Sequence, residues 1–262
     1  MIVQGAGGAI RTQVDGPEGA PWVVLSNSLG ADLSMWDPQV PVLAETHRVL
    51  RYDTRGHGGS ATVAAPFTMA DLVADAVAVM DAHGVARADF VGLSMGGMTG
   101  LGVALAHPAR LHRLVCADAR ADAPEAYRAN WDARIARVAE GGLAAILDAT
   151  LEGWLTVAFR AAHPEVVEKV RAMVLANDAA GYVGCCAALK SLDYFKDLGS
   201  IAVPTLYVCG DQDKGAAPDV MRAMAAATPG AEFVLIPDAA HVANINAPAT
   251  FNAALRAFLT PT

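Results

Sequence analysis

The chain has 262 residues, 54% of them hydrophobic, with 27 acidic against 19 basic side chains and a formal charge of −8. That length suits one large domain, or a domain carrying an insertion, rather than two equal domains. Net negative charge without a lysine or arginine run argues against nucleic acid or an anionic membrane as the main partner, and an anionic small substrate would need local positive charge.

The first residues, MIVQGAGGAI, lack the basic start and apolar stretch of a secretory signal, and no segment reaches the roughly 20 apolar residues of a membrane helix, so a soluble, cytoplasmic protein is expected. Short apolar runs of strand length follow at 22–26, 47–52, 88–93, 111–117, 204–209 and 232–237. Most are near-continuous, as expected of a parallel sheet covered on both faces. Segments of helical period lie between or after them at 68–83, 95–107, 218–228 and 248–259, giving the strand-then-helix rhythm of an α/β fold. From about residue 124 to 195 the rhythm breaks into long amphipathic stretches without a convincing strand, read as a helical insertion over one end of the sheet. Cys116, Cys185, Cys186 and Cys209 have neither CxxC spacing nor histidine partners and are expected to be small buried hydrophobes.

Gly92-Leu93-Ser94-Met95-Gly96 fits GxSxG, directly after a strand and directly before a helix. A strand that turns at once into a helix strains the serine backbone, and glycines two positions to either side keep the neighbouring elements from clashing. The turn would lift the Ser94 hydroxyl clear of the sheet as a nucleophile; the plainer alternative is a serine capping the next helix. A nucleophilic serine needs a base and a group that orients the base. Among seven histidines, His241 in LIPDAAHVANINAP stands past a strand end, where a side chain can reach the top of the sheet. His57, in a glycine-rich turn, is expected to brace that loop. His47, His83, His107, His112 and His163 sit beside helix ends or in polar positions that suit solvated or capping residues. For the acid, Asp213 is preferred to Asp211 because the loop needs a few residues to reach under His241, with Asp118 an alternative from another strand end. The backbone N–H groups of Leu29 and Met95 are the candidate oxyanion donors, although the Asn27 to Gly30 segment also reads as an ordinary turn.

With these residues placed, the chain resembles the α/β-hydrolases from end to end and, more narrowly, the 3-oxoadipate enol-lactonases of bacterial aromatic catabolism. The resemblance rests on LSNSLGADLSMWDPQ, RYDTRGHGGS, GLSMGGMTGLGVALAHP, WDARIARV, GYVGCCAALKSLDYF, VPTLYVCGDQD and AAHVANINAP. It implies a mostly parallel eight-stranded sheet with helices on both faces, made from residues 1–122 and 196–262, and a helical cap, 123–195, between strands six and seven. It puts Ser94, Asp213 and His241 in the triad positions and calls for no metal or organic cofactor. Asn27-Ser28 replaces the His-Gly of many relatives, a variant associated with the lactonases; Asn246-Ala247-Pro248 stands where relatives often carry Glu-Gln-Pro.

The implied reaction is hydrolysis of 3-oxoadipate enol-lactone, in the β-ketoadipate pathway, through an acyl-enzyme. Its anionic lactone substrate needs a cation at the pocket, for which Arg120, Arg128, Arg134, Arg137 and Arg160 are available. Arg134, one helical turn from Trp131, is preferred as the carboxylate partner and Trp154 as an aromatic wall, against plain packing within the cap. The same triad would also serve a general carboxylesterase or perhydrolase, or a meta-cleavage product hydrolase. A ligand-binding protein on a hydrolase fold is the reading outside enzymes. The sequence assigns no oligomeric state.

Overall fold

All six apolar runs form strands in the computed structural model, which describes residues 1–62 and 66–259: β3 (Trp22–Ser26), β4 (Arg48–Tyr52), β5 (Ala88–Leu93), β6 (Leu111–Ala117), β7 (Thr205–Gly210) and β8 (Glu232–Ile236). Two more precede them, β1 (Ile2–Gln4) and β2 (Ala9–Asp15). The order across the sheet is β1-β2-β4-β3-β5-β6-β7-β8, antiparallel from β1 to β4 and parallel from there to β8. β2 escapes a search for continuous apolar runs because it reads AIRTQVD, burying only Ile10 and Thr12 and leaving the alternate side chains partly in water.

The alternation of side chains along each strand divides the core in two. Val24, Leu50, Phe90, Leu114 and Cys116 project to one face, packed with α2 (Met69–Ala82) and α3 (Met95–Ala106). Val23, Leu25, Val91, Leu93 and Val115 project to the other, against the buried Trp36, the short α1 (Val40–Leu43) and the C-terminal helix. α2 begins in a capping box: Thr68 Oγ1 accepts from the Asp71 N–H at 3.2 Å and Asp71 Oδ2 accepts from the Thr68 N–H at 2.8 Å.

Between β6 and β7 the chain runs through α4 (Glu125–Gly141), α5 (Leu147–Trp154), α6 (Val157–Ala162), α7 (Pro164–Leu175) and α8 (Ala179–Lys190). A single antiparallel bridge, Asp122 to Asp193, ties together the two ends of this stretch. α9 (Pro218–Ala227), α10 (Ala243–Asn246) and α11 (Pro248–Leu259) complete the chain. The core segments 1–122 and 196–262 expected from sequence run through residues 63–65 and 260–262, which lie outside the described residues. Among the described residues no single helix is long and apolar enough to cross a membrane.

One topological feature positions the site. β3 lies between β4 and β5, so the connection out of β3 goes to one side and the next crosses to the other. Such a reversal opens a crevice at the carboxyl ends of the two central strands, where ligands of open α/β sheets bind. Ser26 at the end of β3 is in register with Gly92 near the end of β5, so the loops leaving both strands meet at that crevice.

Candidate active site

Ser94 sits between the last residue of β5 and the first of α3 with φ 55° and ψ −118°, a conformation that L-residues adopt at a cost. Its side chain makes no capping hydrogen bond, which removes the reading of Ser94 as an ordinary helix cap. The glycines on either side are required by contact. A Cβ on Gly92 would run into the backbone of Gly96 and Gly97, and one on Gly96 into the Ser26 carbonyl of the neighbouring strand. The turn is thereby packed against both β3 and its own helix, with the hydroxyl aimed at the crevice.

His241 approaches from the loop between β8 and α10. Its Nε2 lies 2.8 Å from Ser94 Oγ and its Nδ1 2.8 Å from Asp213 Oδ2. The other Asp213 oxygen accepts from the N–H groups of Gly215 and Ala216, at 2.7 and 3.1 Å, which fixes the carboxylate on the loop after β7. Burial alone would raise the Asp213 pKa, but the charge of His241 and these hydrogen bonds outweigh it and hold the carboxyl below its ordinary value. For His241, burial works against the charged form, while the charge and hydrogen bond of Asp213, joined by Asp118, raise its pKa above the ordinary histidine value.

The two other candidate acids are placed elsewhere. Asp211 accepts from the Ala239 N–H at 3.2 Å, while His241 Nδ1 is taken by Asp213. Asp118, fully buried with φ 45°, bridges the loops that carry Asp213 and His241: Oδ1 accepts from the Gly210 N–H at 2.8 Å and Oδ2 from the Ala243 N–H at 3.2 Å. Burial, with the nearby Asp213 charge, pushes the Asp118 pKa well above the carboxylate range. Asp118, Cys209 and Asp213 have ligand atoms within 4.8 Å of one another, but both carboxyls are occupied by backbone N–H groups and His241.

The two candidate backbone donors lie in the loop after β3 and at the first residue of α3. Among the described residues, neither the Leu29 N–H nor the Met95 N–H donates to a protein acceptor. The Leu29 loop is held rigidly around that donor. Asn27 donates to the Tyr52 carbonyl at 2.8 Å and accepts from Trp36 Nε1 at 2.9 Å, Gly30 takes φ 84°, and the Gly30 carbonyl accepts from Asn177 at 2.8 Å.

Ser94 and His241 open into a cavity of about 170 Å³ whose walls include Leu29, Met98, Tyr127, Trp131, Trp154 and Tyr182. Of the candidate arginines, Arg120 and Arg134 line it, together with Lys214, which sequence reasoning did not single out. Arg134 donates to Tyr182 Oη and Thr150 Oγ1, and its guanidinium lies 5.8 Å from the ring centres of both Trp131 and Tyr182. Arg137, itself exposed, lines an adjoining outer cavity of about 470 Å³. Arg128 is engaged with the Ala123 carbonyl, and Arg160, on α6, lines neither cavity. Trp154 is 7% exposed, packs in the second core cluster and lines the inner cavity as well.

The stretch behind His241 is held by a residue whose role was illegible in sequence. Asn246 Nδ2 donates to the carbonyls of Trp154 and Val242, both at 2.9 Å, while its Oδ1 accepts from the Thr156 N–H at 3.0 Å. The end of α5 is thereby tied to the His241 loop. His57 does brace its loop, buried and 3.0 Å from the Arg55 carbonyl, with burial lowering its pKa to about 4. His47 departs from the expected solvated residue: it is 2% exposed, just before β4, with its Nε2 3.5 Å from Asp89 Oδ2 at the start of β5. All four cysteines are free and buried.

The family described as alpha/beta hydrolase fold matches residues 21–248. A 3-oxoadipate enol-lactonase of Acinetobacter baylyi is 34% identical over 256 residues, covering 96% of this chain and 93% of its own. RutD of Variovorax paradoxus, assigned to carbamate hydrolysis, is 32% identical, covering 95% and 96%. The crystal structure of an enol-lactonase from Burkholderia xenovorans LB400 superposes with a TM-score of 0.95 at 38% identity, covering each chain completely. Fold, strand order and these relatives agree: the chain belongs to the α/β-hydrolase fold family.

Proposed function

We propose that this hydrolase opens the lactone ester of 3-oxoadipate enol-lactone to give 3-oxoadipate, in the cytoplasm, as a step of aromatic catabolism. The observation that carries the reading is the unbroken hydrogen-bonded chain from Asp213 through His241 to Ser94, which opens into a cavity whose charged walls beyond that chain are all cationic. The enol-lactonase relatives from Acinetobacter and Burkholderia supply the substrate class.

In this reading Ser94 Oγ adds to the lactone carbonyl as its proton passes to His241 Nε2. The charge that forms on the carbonyl oxygen faces the N–H groups of Leu29 and Met95, the latter at the positive end of α3. Collapse breaks the ring C–O bond, leaving the acyl chain on Ser94 and an enolate that takes the proton back from His241. A water then gives a proton to His241 and attacks the Ser94 ester. Ser94 departs with that proton, and the enol tautomerises to the ketone. No step calls for a metal or organic cofactor.

Arg134 takes the substrate carboxylate, and Trp154 walls the ring. Replacing Arg134 by Gln is expected to raise KM for the enol-lactone by about 10- to 100-fold, the worth of a charge-assisted hydrogen bond, while changing hydrolysis of the neutral p-nitrophenyl acetate far less. Equal losses on both substrates would contradict the assignment. A second reading, carbamate hydrolysis, draws on the 32% identity to RutD, and faster turnover of a carbamate than of the enol-lactone would favour it.

A further inference from the structure

The chain carries eight more acidic than basic groups, yet the two adjoining cavities are lined by the opposite sign. The inner one has Arg120, Arg134 and Lys214 on its wall, and the outer one has these three and Arg137; beyond the triad, no aspartate or glutamate lines either. The two share Tyr127 and Trp131 as well, so they form one passage from solvent to Ser94.

The cations along this passage differ in how far they are neutralised. Arg120 is paired with Asp122 at 3.0 Å and lies over the Tyr127 ring at 5.1 Å. Arg134 has hydroxyl acceptors only. Arg137 and Lys214 are exposed, and among the described residues neither has a carboxylate within 4.0 Å. Several basic side chains elsewhere on the surface are paired, among them Lys190 with Asp132, Lys196 with Asp193, Arg171 with Glu168 and Asp148, and Arg256 with Glu45. The outer cavity thus brings together two cations that have no carboxylate partner among the described residues, one from α4 and one from the loop after Asp213, in a chain of net negative charge.

We propose that the outer cavity is a capture site for small organic carboxylates, with Lys214 and Arg137 as its anion-attracting groups and Arg134 as the inner station to which the carboxylate passes. The inference rests on reading the Ser94 pocket as one that hydrolyses an anionic ester. Opposite charge at the mouth of a low-dielectric cleft raises the local concentration of an anion and its rate of arrival, an effect that salt screens over about 10 Å at 0.1 M. Lys214 and Arg137 are specificity-determining residues in this scheme and touch no reacting atom.

The test compares an aryl ester bearing a carboxylate with its neutral counterpart, in the wild type and in the Lys214→Gln/Arg137→Gln protein, from low to high ionic strength. The ratio of kcat/KM for the anionic over the neutral ester should fall on the order of tenfold in the variant at low salt, and its dependence on salt should flatten. A ratio and salt dependence equal to the wild type would overturn the inference. Binding of adipate to the Ser94→Ala protein, followed by tryptophan fluorescence, gives the same comparison without turnover. Weaker and less salt-dependent binding on removing the two charges supports capture; adipate that fails to bind, or binds the same either way, overturns it. Because neither probe is a lactone, a wild type that ignores the enol-lactone but prefers the anionic ester refutes the proposed substrate and leaves the capture site standing.

Discussion

His241 must be neutral to take a proton from Ser94, so its titration sets the acid limb of the rate profile. Burial by itself would favour the neutral ring, but the Asp213 charge 2.8 Å away overrides it and holds the pKa above that of an ordinary histidine. Below this pKa the imidazolium cannot accept a proton, so kcat/KM should rise with pH through an apparent value higher than the free side chain gives. Replacing Asp213 by Asn removes the raising charge. The limb should move to lower pH while kcat at neutral pH drops by roughly three to four orders of magnitude, as expected when the base loses its orienting acid. A pH profile with an unmoved limb would show that Asp213 does not act on His241. At this scale the hydrogen-bonded trio of Ser94, His241 and Asp213 was legible because its chemistry is scarce: one GxSxG serine, a histidine past a late strand end, and an acid-bearing loop between them preferred over Asp118. Lys214 was passed over because a lysine beside an acid in a loop reads as solvated charge, and only the cavity it lines together with Arg134 and Arg137 of α4 suggests more.

Among the elements, the strand-to-helix turn at Ser94 is fixed by two glycines, each pressed against backbone rather than a yielding side chain. Gly96→Ala should therefore destabilise the fold by about 1–3 kcal/mol, seen as a fall in Tm of about 2–4 °C per kcal/mol. An unchanged Tm would mean that β3 can yield at Ser26. The same contact explains why the turn was readable: a strand, a GxSxG and a helix are contiguous, so the clash that demands glycine is nearly local. The hold on His241 is not. Asn246 reaches across 92 residues to the end of α5, and nothing near it in the chain announces that partner. Truncating it to alanine leaves the Thr156 N–H and the Trp154 carbonyl short of a buried hydrogen bond, at about 1–3 kcal/mol. We expect Asn246→Ala to lower both Tm and kcat, with the kcat loss persisting at temperatures where the protein stays folded. Full activity there would show that α5 does not position the base.

For the molecule as a whole, the parallel half of the sheet was legible because strands covered on both faces are mostly apolar, as in β5 and β7, which are buried at every position and carry only Asp89 and Thr205 as polar side chains. β1 and β2 were missed for the converse reason: at the antiparallel edge one side of each strand meets water, and the pattern thins to alternate residues. The path of α4–α8 was equally unreadable beyond being helical, since amphipathic periodicity gives a buried face without saying what covers it. Yet those helices bring Arg134, Trp131 and Tyr182 over Ser94, and with them a cationic chamber in an acidic protein. The proposed ester-opening reaction depends on Ser94 as its nucleophile. The direct measurement is turnover of 3-oxoadipate enol-lactone by the wild type and by Ser94→Ala, side by side, with Tm recorded for both. Rapid opening is expected of the wild type, and none above background of a variant that melts as the wild type does. Opening by the variant at a wild-type rate, or a folded wild type that leaves the lactone intact, would contradict the proposed reaction.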